Sequence, residues 1–168
     1  MNTPRCSRLI ANGLGVACLS LVAVAGVRAQ DLQVLAGTWA VDQTATGASG
    51  GRGAGVPGFP LATQLVITVS PAEVVVDSDT GSARSTQTST FKLDGTTTPI
   101  PGPLGWDTKA KAAIQDGKLA VTITRSIDGP NGPVGVNVTD VYSVDGPVLT
   151  ITRTQARTSQ KLVYRRKS

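Results

Sequence analysis

The 168-residue chain has no histidine, and its only cysteines, Cys6 and Cys18, lie within the first 18 residues. Without an imidazole there is no Ser-His-Asp triad and no histidine-ligated zinc. Aromatic residues are confined to Trp39, Phe59, Phe91, Trp106, Tyr142 and Tyr164. Six are too few for the two aromatic girdles of an outer-membrane barrel, and several candidate strands fall short of a bilayer span. Glu73 is the single glutamate. No convergent set of acid, base and nucleophile is present, so the chain does not read as an enzyme. Nothing in it calls for a metal or a cofactor.

What is present begins with an export signal. Arg5 and Arg8 form a positive n-region, Leu9 to Gly26 is apolar and uncharged, and Val27-Arg28-Ala29 puts small residues at the −3 and −1 positions. Residues 1–29 are therefore read as a signal peptide cleaved before Gln30, which makes the protein secreted or periplasmic. An uncleaved anchor is disfavoured by Asn12 and several glycines. A lipoprotein signal built on Cys18 is disfavoured by Gly15, which stands where a leucine-like residue is wanted, and by the long apolar run that follows. Losing Arg5, Arg8 and Arg28 lowers the formal charge from +5 to +2. So small a charge gives no electrostatic case for nucleic acid. After cleavage, no more than peripheral membrane contact is expected.

The remaining 139 residues, 30–168, include 20 threonines and 16 valines. That is a strand composition, and the apolar pattern alternates with period 2 rather than 3.6. Strands are predicted over 37–42, 63–70, 73–77, 83–93, 106–114, 118–127, 134–144, 148–153 and 160–165. Residues 43–60 form a Gly-rich loop that is long for a hairpin connection. Asp94-Gly95, Asp116-Gly117, Asp128-Gly129 and Asp145-Gly146 supply the positive φ angles of tight hairpin turns. The expected fold is all-β: one domain, an antiparallel up-and-down meander of eight to nine strands closed or nearly closed into a barrel. A two-sheet sandwich is the alternative.

Leu35-Ala36-Gly37-Thr38-Trp39 resembles the Gly-x-Trp opening of the lipocalin and fatty-acid-binding superfamily. The larger layout resembles a group of secreted bacterial lipocalin-like proteins of unknown function. Its parts here are the opening Gly-Thr-Trp, a Gly-rich loop, Phe91-Lys92-Leu93-Asp94-Gly95, the Trp106 strand, Tyr142-Ser143-Val144-Asp145 and a closing Val163-Tyr164-Arg165. The resemblance implies that Trp39 closes one barrel end beside an arginine of the last strand. Arg165 or Arg166 stands in that place, and Arg165 is taken as the partner. The Thr-Asp-Tyr-like segment of lipocalins has only an off-pattern counterpart in Asp140-Val141-Tyr142. The group brings no assigned activity.

Several acidic and glycine motifs read as ordinary structure. Asp77-Ser78-Asp79-Thr80-Gly81 opens like a calcium loop but lacks the later ligands, so an acidic turn is the better reading. Glu73 and Asp77, four apart on one strand face, lack the separated partner that glycoside chemistry needs. Gly50 to Gly55 lacks the Lys-Ser/Thr ending of a phosphate loop. Arg125 and Asp140 are more informative. Each interrupts an apolar face, between Ile123 and Ile127 and between Val138 and Tyr142 respectively. A charge on such a face must pair, reach water or bind something polar, and an Arg125–Asp140 pair across neighbouring strands is the expectation.

The candidate ligand-cavity residues are thus Trp106, Ile123, Arg125, Val138, Asp140 and Tyr142, with Trp39 and Arg165 at the closed end. The functional expectation is an exported module that binds a small apolar ligand in the barrel. The alternative is a non-enzymatic structural or interaction protein with a filled barrel and a partner site on the 43–60 loop or an edge strand. The sequence names no protein partner.

Overall fold

A computed structural model describes residues 31–47, 61–81, 86–102, 107–129 and 132–168. The signal segment, most of the Gly-rich loop with its 50–55 motif, and Trp106 lie outside the described residues.

A 3-10 turn, η1 (Leu32–Leu35), precedes ten strands: β1 (Gly37–Val41), β2 (Gln64–Val69), β3 (Glu73–Asp79), β4 (Thr86–Lys92), β5 (Thr97–Pro99), β6 (Asp107–Gln115), β7 (Lys118–Gly129), β8 (Gly132–Asp145), β9 (Val148–Gln155) and β10 (Thr158–Arg166). They form one antiparallel sheet in the order β4-β3-β2-β1-β10-β9-β8-β7-β6-β5. The first and last strands pair, with Trp39 opposite Arg166, and this curls the meander into a nearly closed barrel. A two-sheet sandwich is thereby excluded. The sheet edges, β4 and β5, meet through the Thr98 hydroxyl, which donates to the Thr90 carbonyl at 2.9 Å.

Two elements go beyond the sequence reading. Strand β5 is three residues long and ends in Pro99, which cannot donate to a ladder and so sits at a sheet edge. The Asp128-Gly129 pair is not a turn. It belongs to the β7–β8 ladder, which continues to Gly129 opposite Gly132. Among the described residues, β6 pairs with β7 as far as Ser126, and β9 meets β8 from Val138. Val134, near the start of β8, is 54% exposed. Asp116-Gly117 does form a tight turn, with φ of 50° and 72°.

Alternation places one face of each strand inside. In β6, Thr108, Ala110 and Ala112 are buried while Asp107, Lys109 and Lys111 are exposed. The inner faces of β2, β3, β7 and β9 bring Leu65 and Ile67, Val74 and Val76, Leu119 and Val121, and Leu149 and Ile151 into one core. Burial of this apolar surface, at about 25 cal/mol per Å², is the main force holding the barrel.

One end of the core is plugged. Leu32 and Leu35 of η1 pack into it, and the fully buried Trp39 donates its indole N–H to the Leu35 carbonyl at 2.9 Å. The Arg166 guanidinium lies 4.2 Å from the Trp39 ring centroid and donates to the carbonyls of Ala36 and Val34, both at 2.7 Å. This corrects the assignment of Arg165, whose side chain instead bonds Asp42 at 2.8 Å. The reason is parity: Tyr164 points inward, so Arg165 points outward and Arg166 returns to the inner side. Gly37 is explained by the same contact. Its φ is +136°, and a Cβ there would meet Arg166 Nη1 at 2.7 Å.

Candidate functional site

The barrel is not filled. Between the plug and the far end lies a cavity of about 350 Å³. Its deeper wall is apolar, with Leu65, Val76, Phe91, Ile123, Ile151 and Leu162, and the rings of Tyr142 and Tyr164 complete it. Toward the opposite end polar groups join Ala62, Ile100 and Pro101 in the lining: Ser78, Thr80, Gln87 and Ser89 from the β3–β4 hairpin, and Arg125, Asp140 and Arg153 on β7–β9.

The strand registers explain this gradient. Strand β7 starts at the plugged end, where Asp116, Gly117 and Lys118 sit beside Leu32 and Leu35. Arg125 lies seven residues further on, about 23 Å at strand rise. Likewise Glu73 and Lys92 pair at the start of β3, whereas Ser78 and Gln87 pair near its end.

The ionic groups are buried. Asp140 is 1% exposed and Arg125 4%. Asp140 does not pair with Arg125 as the alternation suggests. Register sets it opposite Val121 on β7 and Arg153 on β9, while Arg125 faces Val136 and Thr108. Arg153 therefore takes both carboxylate oxygens, Nε to Oδ1 at 2.8 Å and Nη2 to Oδ2 at 2.7 Å. Such a bidentate fork is a strong, directional ion pair. Burial opposes the Arg153 charge, but the Asp140 hydrogen bonds outweigh it and raise its pKa. Burial pulls the Arg125 guanidinium down to about 10; Arg153 adds to the shift and Asp140 opposes it. Arg125 remains cationic at neutral pH. Burial, with Asp140 adding to it, pushes Tyr142 well above the ordinary tyrosine range and Tyr164 up to about 12. Both phenols stay protonated and neutral at neutral pH.

The structure thus brings Ile123, Arg125, Asp140 and Tyr142 of the candidate set to one cavity. Val138 is buried on the same face but does not line it. Arg153 escaped the sequence reading although it follows Leu149 and Ile151 at spacing two, which fixes it on the inner face. Gln87, Ser89 and Phe91 follow one another at spacing two, so they share one face and line the cavity. Elsewhere the acidic motifs are engaged locally. Asp77 accepts from the Thr88 hydroxyl, and Asp79 accepts from the Gly81 N–H at 2.7 Å. Among the described residues no cluster of three metal-ligating side chains occurs.

No family model matches this sequence, and no curated protein matches it. Solved structures do match its fold. An abundant heat soluble protein (SAHS) from Ramazzottius varieornatus aligns with a TM-score of 0.56 at 14% identity, over 80% of this chain and 96% of that one. The fluorescent protein UnaG aligns at 0.58 and 20% identity, over 81% and 99%. Fatty-acid-binding protein 1 of Echinococcus granulosus aligns at 0.54 and 15% identity, over 81% and 99%. At these identities the likeness is one of architecture: the chain shares a nearly closed antiparallel β-barrel fold with these proteins.

Proposed function

We propose that this protein is an exported, non-enzymatic binding module that takes a small, largely apolar molecule into its barrel. The observation that carries the reading is the 350 Å³ cavity, apolar at depth with a few polar groups at one end. That is the composition of a small-molecule site, where apolar walls give affinity and few polar groups give orientation. The barrel shared with a fatty-acid-binding protein and a lipid binding protein supports it. Residues 1–29 supply the export signal. The order of the Gly-Thr-Trp, Phe-Lys-Leu-Asp-Gly and Val-Tyr-Arg segments groups the chain with the secreted bacterial lipocalin-like proteins.

The test is native mass spectrometry of the protein purified from an exporting host, followed by organic extraction and by titration with N-phenyl-1-naphthylamine, a neutral apolar fluorophore. A discrete mass released on denaturation, or saturable uptake of the fluorophore at one site, is the expected result. A bare polypeptide mass together with no fluorophore uptake would overturn the reading. Ile151→Trp, which pushes an indole into the cavity, should abolish uptake without lowering the content of β structure.

A further inference from the structure

Tyr142 and Tyr164 reach the cavity from its apolar wall. Register sets Tyr142 opposite Ile151 and Tyr164 opposite Leu149, so the two rings stand on β8 and β10 with β9 between them. They are 6% and 2% exposed. Among the described residues neither phenol hydroxyl has a hydrogen-bond partner, and neither oxygen is sealed into the packing. Polar groups around them are engaged. Arg153 holds both oxygens of Asp140, and the Ser78 hydroxyl donates to the Gln87 carbonyl at 3.2 Å. A buried tyrosine hydroxyl ordinarily finds a partner, because leaving it unbonded costs free energy. Two such groups on one cavity wall point to a ligand that supplies the missing partner.

Resting on the reading that the barrel holds a small molecule, we propose that its ligand is a compact, neutral carbonyl compound (a ketone, ester or lactone) whose oxygen accepts from the Tyr142 and Tyr164 phenols. Delocalisation of the oxygen lone pair into the ring makes a phenol a better donor than acceptor, which favours a carbonyl over an alcohol. Burial, with the Asp140 carboxylate adding to it and Arg153 opposing, raises the pKa of both phenols, so each offers a proton and carries no charge. An anion beside them would meet the Asp140 carboxylate, and a cation the Arg153 guanidinium. Size narrows the class further. At about 30 Å³ per water-sized group, the cavity holds about a dozen non-hydrogen atoms.

The test is displacement of N-phenyl-1-naphthylamine by probes that share one bicyclic frame: tetralone, which carries a carbonyl, tetralin, which lacks it, and tetralin carboxylate, an anion. Tyr142→Phe and Tyr164→Phe remove the hydroxyls and keep the rings. Together they should weaken tetralone about three- to tenfold, the net worth of one neutral hydrogen bond, and leave tetralin unchanged. A merely structural role would move both probes alike. The infrared carbonyl stretch of bound tetralone should lie below its position in hexane and return toward it in the double variant. A wild-type stretch at the hexane position overturns the proposal even if no variant folds. So does a carboxylate that displaces the fluorophore better than tetralone does. If the fluorophore binds and the variants weaken tetralone and tetralin equally or not at all, the carbonyl class fails while the binding module stands. If the fluorophore does not bind, both fall.

Discussion

The two ends of the barrel solve opposite problems with the same ten strands. At the plugged end Trp39, Leu32, Leu35, Ile67, Val74 and Leu149 are buried in one core, and the Trp39 indole and the Arg166 guanidinium donate to backbone carbonyls. At the other end the inner faces carry arginine, aspartate, serine and glutamine around a space they do not fill. Packing an interior to crystal-like density contributes stability, and leaving a void lined with buried charge costs it. A chain with no disulfide available after Gly26 has no other reserve to offset that cost. The contrast assigns stability to one end and selectivity to the other, and substitutions at each end should separate the two.

The largest effect is expected at the plug. Trp39→Ala removes the centre of the closed end, its indole hydrogen bond and the surface on which Arg166 stacks. It should cost about 3–5 kcal/mol in urea or guanidinium unfolding. A loss below about 1 kcal/mol would mean that the plug is not where stability resides. Almost as large is Asp140→Ala, which strands Arg153 beside Arg125; breaking a buried pair from one side costs about 3–5 kcal/mol. The double variant Asp140→Leu/Arg153→Met should regain most of that loss, because a well-packed apolar pair replaces a desolvated ionic one at little cost. Failure of the double variant to recover would show that the pair is needed to hold the cavity wall and is not simply tolerated there.

This division was only half legible in the sequence. The strands were, because Val, Thr and Ile alternate without helical interruption, and Trp39 was marked by its Gly-x-Trp setting. The pairing of charges was not. Asp140 and Arg125 stand out as charges on apolar faces, but which arginine meets the aspartate depends on register: β9 sets Arg153 opposite Asp140, and β7 sets Val121 there. The Asp128-Gly129 signal suggested a turn two residues too early. The ladder runs on to Gly129 opposite Gly132, so Asp140 faces Val121. Parity alone does find Arg153, from Leu149 and Ile151, and it chooses Arg166 over Arg165, from Leu162 and Tyr164. Polarity alone does not tell which face a side chain takes: Gln87 and Ser89 line the cavity on the same strand face as the buried Phe91. Strand β5 left no periodic signal in its three residues.

A smaller effect, visible only in alkali, reports on the boundary between the two ends. The chain has two tyrosines, Tyr142 and Tyr164, and both are buried against the cavity. Their native pKa values are raised above the ordinary value of 10.0, Tyr164 to about 12. Unfolded tyrosines therefore lose their protons first. The stability that these phenols contribute is intact below pH 10 and drains away above it, by about 1.4 kcal/mol per pH unit for each tyrosine. Absorbance at 295 nm should show no tyrosinate through pH 10.5. Both phenolates should then rise together with the loss of β structure. A tyrosine that titrates near 10 in the folded protein would show that water reaches its hydroxyl freely and that the apolar depth of the cavity is shallower than drawn.

The smallest effects compare two neighbouring arginines. Arg166→Met removes two hydrogen bonds to carbonyls and the contact over Trp39, and should cost about 1–2 kcal/mol at neutral pH. Arg165→Met removes only an exposed bond to Asp42, and should be nearly silent at neutral pH, its small cost shrinking further as salt is added. Its trace is expected in acid. Asp42 is held down to about 2, from 3.8, first by the Thr44 hydroxyl, then by Arg165 and by the Ala45 N–H. A carboxylate whose native pKa is depressed contributes stability above its unfolded pKa and loses it as pH falls through the native one. Acid unfolding of the wild type should therefore include a component between pH 4 and 2. In Arg165→Met that component should shrink but persist, since Thr44 and Ala45 still bind the carboxylate. If instead Arg165→Met is the more damaging of the two, the last strand closes the barrel from its outer face, and the parity that places Arg166 over Trp39 is wrong.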